Sequence, residues 1–322
     1  MTSFKPLLVA MPAFVLAAIA AVPVRADGET IAFFTKNQTN PFFEAERIGA
    51  AKAAARLNAK VIQYVPTQAD SIPEQMSQID DVIVKKPDAI AFVPVDYKAM
   101  TSGVVRMNAA NIPVVNFTDR SSGGSFVSFI GASDYDIAKA TALRLMNEIG
   151  GKGKVIIIEG VRGAVTANDR LHGFEDAVKA FPNVRIGASQ PGNYQRLQGM
   201  QVTENLLQAH PDVVGIMAAN DAMAIGALDA MEEAGVKAKV VGINATKEAV
   251  DAIKAGRMLA SGDYNGFLQG CLAMEAAVRH LRGQPVVKEF IMKPVVVDLT
   301  NYQPYDVRPQ DRDCPAWDSI VR

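Results

Sequence analysis

Histidine and cysteine are scarce, with three of the first and two of the second among 322 residues. None of His172, His210 and His280 has a carboxylate or thiol at metal-ligand spacing, and HExxH, GxSxG and paired CxxC motifs are absent. Zinc hydrolysis and triad-type acyl transfer therefore lack their groups, and neither a metal site nor a cofactor is expected. A hydrolase built on two carboxylates survives this test, because its acids need not be neighbours in sequence, but nothing points to one. Blocks of basic residues are missing too. Lys and Arg total 33 against 34 Asp and Glu, so nucleic-acid binding lacks its electrostatic footprint. The run Gly150-Gly151-Lys152-Gly153-Lys154 is no phosphate loop, since it precedes a strand and lacks the Walker spacing. Past the first 25 residues no stretch approaches the roughly 20 apolar residues that span a bilayer.

Those first residues are a separate matter. Lys5 supplies a positive start, Leu7 to Val22 is an apolar run broken by Pro12, and Val24-Arg25-Ala26 offers small residues for a signal peptidase. Residues 1–26 are expected to be an export signal, with the mature chain beginning at Asp27 and staying out of the membrane. Without Lys5 and Arg25 the chain keeps 31 basic residues against 34 acidic ones. In an oxidising compartment Cys271 and Cys314 can pair, tying the last segment back to a helix. Such a bridge would add roughly 3 to 4 kcal/mol in the chain-entropy model. Two buried thiols are the other reading, and the sequence leaves both open.

What is present is ordinary globular composition, 49% hydrophobic and 21% charged, at a length for about two domains. Short runs of Val, Ile and Phe mark ten strands, beginning with Ile31–Thr35 and ending with Leu259–Asp263. Amphipathic stretches such as Ile48, Ala51, Ala55 separate them. Starts recur about every 24 to 30 residues, the length of one βα unit, which makes an α/β fold with parallel sheets. Ten strands are wide for one sheet, so two are expected, parting near Gly131 where Ser133-Asp134 can cap a new helix. A helix from about Asn265 to Leu281 is expected to return to the first lobe, and the extended run Val286–Leu299 to cross again. The lobes are then 27–131 with 265–290, and 132–264 with 291–300. A tail, 301–322, holds the lone Trp317.

The chain is organised around Glu29–Phe43, ETIAFFTKNQTNPFF. A strand leads through a polar loop into a helix that Asn40 can cap and Pro41 can begin. Phe42 and Phe43 point about 100° apart, so both cannot face one core. In open α/β sheets ligands bind beyond the carboxyl ends of strands, where this junction lies. Other polar residues leave strands at the same edge: Asp119-Arg120, Asn220-Asp221, Asn244, and Asp263 with Tyr264. Each has a bland alternative. Asn220 or Asp221 serves equally as a helix cap, and Asp119-Arg120 as a solvated turn. Together they favour a neutral, hydroxyl-rich small molecule, with Phe42, Phe43, Tyr194 and Tyr264 packing its C–H faces.

At these residues the chain resembles the ribose-binding-protein-like family, type I periplasmic binding proteins that deliver sugars to ABC transporters. The likeness covers about Glu29 to Leu299. It rests on NPFF at Asn40, NIPVVNFTDR at Asn111, HPDVVGIMAANDAMAIGAL at His210 and GINAT after Val240-Val241. The resemblance implies two Rossmann-like lobes joined by a three-segment hinge that close over a sugar. It implies a monomer in the periplasm whose partner is a membrane permease, with presentation to a chemoreceptor or sensor kinase as the alternative. Asn40 and Phe42 would then reach the ligand with Phe43 stacking beside them. Asp119 and Arg120 would clamp hydroxyls, Asn220 would hydrogen-bond from the second lobe, and Tyr194 would stack. Departures concern the ligand: Val93 stands for an Asn, Asn168 for an Arg (with Arg170 two residues on), Asn244 for an Asp, and Tyr264 for a Gln. A pentose other than ribose, a hexose, a tetritol or a cyclitol is expected.

Overall fold

The computed structural model describes Met1 and residues 28–321, and the leader expected over 1–26 lies, Met1 apart, outside them. The first sheet is built from β1 (Thr30–Phe34), β2 (Lys60–Tyr64), β3 (Ala89–Phe92), β4 (Val114–Phe117) and β5 (Phe129–Ala132). Alternating with these strands are α1 (Pro41–Leu57), α2 (Ile72–Lys85) and α3 (Thr101–Ala109). The second set runs α4 (Asp134–Glu148), β6 (Lys152–Glu159), α5 (Val165–Lys179), β7 (Asn183–Pro191), α6 (Arg196–Ala209), β8 (Val213–Ala218), α7 (Asp221–Ala234), β9 (Lys239–Ile243), α8 (Lys247–Lys254) and β10 (Ala260–Asp263). Then follow α9 (Gly266–Leu281), β11 (Glu289–Met292), β12 (Val295–Asp298) and the short α10 (Trp317–Ile320).

The strands make two six-stranded sheets, ordered β11-β5-β4-β3-β1-β2 and β12-β10-β9-β8-β6-β7. All pairs are parallel except β12 on β10. Central strands are buried on both faces, which is why AIAF in β3 and VIII within β6 read as unbroken apolar runs. The chain passes between the sheets three times, from β5 into α4, from β10 into α9, and from β11 into β12. The last passage differs from expectation. The run Val286–Leu299 is two strands, and the change of lobe falls between Met292 and Val295, beyond the expected 290. Pro294 explains the break, because it has no N–H for a ladder and its ring unsettles the residue before it. β5 likewise starts at Phe129 and runs through Gly131 to Ala132.

Helix starts follow their caps. Asn40, Ser71, Ser133, Asn220, Thr246 and Asn265 each accept a backbone N–H from the first turn. α1 and α9 lie side by side at glycine contacts. A Cβ on Gly49 would sit 2.2 Å from the Phe267 carbonyl oxygen, and one on Gly270 2.0 Å from that of Glu46. The tail ends with Trp317 buried beneath Arg279 and with Cys314 bonded to Cys271 of α9. Among the described residues no helix is long and apolar enough to cross a membrane.

Candidate functional site

The carboxyl ends of the two sheets face each other across a cleft. At its centre is a cavity of about 40 Å³ lined from both lobes. On one side it meets a space of about 290 Å³ through Lys36, Thr118, Asp119 and Thr166. On the other it meets one of about 710 Å³ through Asn40, Asp70 and Tyr194.

From the first lobe, Asn37 fixes the β1–α1 loop by accepting from the Asn40 N–H at 2.9 Å, and Asn40 Oδ1 accepts from Phe42 N at 3.0 Å. Phe42 and Phe43 then stand edge to face, centroids 5.3 Å apart, with the Tyr264 ring 5.6 Å from Phe42. From the second lobe, Asn220 both caps α7 at Met223 N (3.0 Å) and donates to the Tyr194 carbonyl at 3.2 Å. It is a helix cap and a cleft residue at once.

Backbone strain collects at the same place. Thr118 (φ 60°), Tyr194 (φ 60°) and Asn244 (φ 131°) all adopt left-handed conformations without being glycine, and all three line the cavity. Each such residue costs of order 1–3 kcal/mol, which surrounding structure must offset. Asn244 Oδ1 is buried and has no hydrogen-bond partner among the described residues. An acceptor left bare in this way fits a site that a ligand hydroxyl completes.

Two buried cations carry the electrostatics. Lys36 Nζ lies 2.7 Å from Asp119 and 3.7 Å from Asp70. Burial opposes its charge, but the two carboxylates outweigh burial and hold the ammonium above its ordinary range. Asp70 is itself pushed upward by burial, against the pull of Lys36. Arg170 Nε donates to Asp134 at 2.8 Å and Nη1 to the Ala219 carbonyl at 2.7 Å. Its guanidinium stands 4.7 Å from the centre of the Tyr264 ring. Tyr264 donates to Asp134 Oδ2 at 2.8 Å, and its hydroxyl lies 3.3 Å from the Thr118 carbonyl across the cleft. Burial pushes the Asp134 carboxyl up to about 6 even with Arg170 beside it.

Eight of the ten residues expected at the site line this cavity: Asn40, Phe42, Phe43, Asp119, Tyr194, Asn220, Asn244 and Tyr264. Two do not. Asn168 sits exposed on the outer side of α5, and Arg170 is the residue that enters the cleft. Two helical positions differ by about 200°, so only one of them can face inward. Arg120 faces the outer space instead of the central cavity. It stacks 3.7 Å over Phe129 and pairs with Glu289 at the β5–β11 edge. The cation beside Asp119 in the cavity is Lys36, not Arg120. Lys36, Asp70, Asp134 and Thr166 were not singled out from the sequence. The only signal for Lys36 was its place in the loop directly after β1. Among the described residues no group of three or more His, Cys, Asp or Glu is placed to hold a metal ion.

The family model for the periplasmic binding protein domain matches residues 31–285. The chain is 33% identical over 279 residues to the ribose import binding protein RbsB of Haemophilus influenzae, covering 87% of this chain and 94% of that one. It is 30% identical to a D-apiose import binding protein of Paraburkholderia graminis, over 85% and 88% of the two chains. Among solved structures, an ABC transporter periplasmic solute binding protein from Actinobacillus succinogenes with bound D-allose superposes at a TM-score of 0.82. That match has 31% identity and covers 86% of this chain and all of the other. The Caulobacter myo-inositol binding protein bound to myo-inositol gives 0.80 at 28% identity, covering 88% and 97%. With two lobes, three crossings and a ring-lined cleft between them, this chain belongs to the periplasmic binding protein domain family.

Proposed function

We propose that this protein is an exported, periplasmic solute receptor. It captures a small neutral sugar or polyol between its lobes and delivers it, as a monomer, to the permease of an ABC transporter. The observation that carries this reading is the inner cavity, where four aromatic rings surround polar groups and both cations are already paired within the protein. Rings pack C–H faces, and the amides of Asn220 and Asn244 with the Asp119 carboxylate suit hydroxyls. Both cations already have carboxylate partners, so an anionic ligand finds no unpaired cation among the residues that line the cavity. The bound sugars and the inositol of the structural relatives, and the import role of the sequence relatives, support the same class.

Binding works by shifting a population. An open form exposes the strand ends, and only the closed form brings Asn220, Asn244 and Arg170 onto a ligand already held by Asp119 and the Phe42–Phe43 pair. The ligand stabilises the closed form by the difference in its affinity for the two. No group in the cleft is needed for bond-breaking.

A thermal-shift screen of pentoses, hexoses, alditols and cyclitols tests the proposal. A true ligand at 100 times its Kd stabilises by about 2.7 kcal/mol. For a chain of this size that raises Tm by about 4 °C when unfolding is a single step. Calorimetry on the best compound then reads affinity directly. If no neutral polyhydroxyl compound shifts Tm while a charged metabolite does, the ligand class is wrong.

A further inference from the structure

We propose that the C-terminal tail is a strap across the hinge, fixed to both lobes, that biases them toward the closed arrangement. The tail leaves the second lobe at β12. Asp306 is then held on α8 of that lobe by Lys254 at 2.8 Å and Lys247 at 3.1 Å. Tyr305 lies close enough to Asp263, at the β10–α9 crossing, for that carboxylate to help burial push the pKa of its hydroxyl upward. Eight residues later the chain is covalently attached to the first lobe through the bond between Cys314 and Cys271 of α9. Arg56 of α1 reinforces that end by donating to the Cys314 and Pro315 carbonyls, both at 2.8 Å.

The three crossings that any two-lobed relative of this topology needs are therefore joined by a fourth link. The segment between its anchors is folded, not slack. Arg312 donates to the Tyr305 and Val307 carbonyls at 3.1 and 3.0 Å, and Pro309–Asp311 forms a 3-10 turn. Fully extended, eight residues would reach about 26–29 Å, so the strap does not bar opening outright. Separating the lobes must instead detach Asp306 or unravel this turn, and both are intact in the closed form. The strap also walls a space of about 360 Å³ that has Phe42 and Asn244 on its inner side, the same two residues that line the ligand cavity. Lobe opening and tail position thus meet at the site.

The inference rests on the lobe motion of the proposed function but on no particular ligand, so ligand-free protein is the right sample. Small-angle X-ray scattering would compare wild type, Cys314→Ser, and the double substitution K247A/K254A, which keeps the disulfide. Amide exchange at residues 118–119, 194 and 244 would be followed in the same samples. The radius of gyration is expected to rise in the order wild type, K247A/K254A, Cys314→Ser. The last step is on the order of 1 Å over the roughly 19 Å of a compact chain of this length. Cleft amides should exchange several-fold faster, with strand amides unchanged. A loosened tail on unmoved lobes would raise the radius without faster cleft exchange, and that result overturns the strap. So does wild-type scattering already more open than the closed arrangement and unchanged in both variants. Scattering that fits the closed arrangement in all three proteins overturns the strap and the lobe motion together.

Discussion

Arg170 and Arg120 carry the same charge and stand in opposite surroundings. Arg170 and its partner Asp134 are both buried, whereas Arg120 and Glu289 are each half-exposed. Removing one member of a buried pair leaves an uncompensated charge and typically costs 3–5 kcal/mol, while exposed pairs are worth about 1 kcal/mol or less. Arg170→Met is therefore expected to destabilise by roughly 3 kcal/mol and to weaken ligand binding severely, and Arg120→Ala to change stability by under about 1 kcal/mol. Urea titrations of the two variants compare them directly. The Arg170→Met deficit should be larger at pH 8 than at pH 5, because the stranded Asp134 can take up a proton at the lower pH. Adding Asp134→Asn should recover part of it. Asp221 gives a cleaner titration. It accepts from Ser261 Oγ, Thr246 N and Thr246 Oγ1, yet burial pushes its carboxyl up to about 6. Unfolded, it titrates near 3.9, so between about pH 4 and 6 the native state holds the proton more tightly than the unfolded one. Stability from this group is complete below that window and is lost as pH rises through it, by at most about 1.4 kcal/mol per pH unit. Asp221→Asn should flatten the stability profile between pH 4 and 7, and an unchanged slope would show that the carboxyl is not held protonated.

The helix pair α1–α9 sets how the returning chain docks on the first lobe. Gly270 touches the Glu46 carbonyl so closely that any Cβ forces the helices apart. Gly270→Ala is expected to lower stability by about 1–3 kcal/mol as an overpacked contact, read from the urea midpoint at unchanged slope. Because Glu46 and Gln269 flank the same contact and meet at Thr118, the shift would be felt at the cleft as well. The strands were legible in the sequence because burial on both faces writes an apolar run, and the caps because Asn and Ser at a strand exit have few other uses. Which face of α5 turns inward is written in the helix itself: Ala167, Phe174, Ala177 and Val178 recur at helical spacing, and Arg170 falls on their stripe while Asn168 falls outside it. The position was set by likeness to the family motif instead of by that stripe, so Asn168 stood where Arg170 belongs. Lys36 was passed over for a different reason. A lysine is solvated by default, and only the convergence of Asp70 and Asp119, 34 and 83 residues further on, makes a buried one tolerable. Val286–Leu299 read as an extended run that changes lobe after residue 290, and Pro294 is what marks the actual point of exchange between sheets.

At the scale of the whole molecule, the cleft is where the two sheets meet, and the cations on each side are paired within their own lobe. Lys36 from the first lobe is satisfied by Asp70 and Asp119 of that lobe, and Arg170 from the second by Asp134 of its own. Each lobe thus arrives at the interface with its cations already neutralised, and closure asks for no charge from the ligand. A carboxylate brought into the cavity would meet two cations against three carboxylates, which leaves one negative charge in surplus to repel it, at a separation taken as about 5 Å. Taking an effective dielectric of 20, two like charges at that separation repel by about 3 kcal/mol, a factor on the order of 100 in affinity. Once a ligand is known, its alditol should therefore bind at least about 100-fold more tightly than the aldonate of equal chain length. Titration calorimetry of the two at one ionic strength measures the ratio, and raising the salt should narrow it by weakening the repulsion while leaving the alditol nearly unmoved. Equal affinity would mean that Lys36 or Arg170 exchanges its carboxylate for that of the ligand. The two lobes would then have to be treated as one electrostatic unit, with a charged solute among the compounds they select.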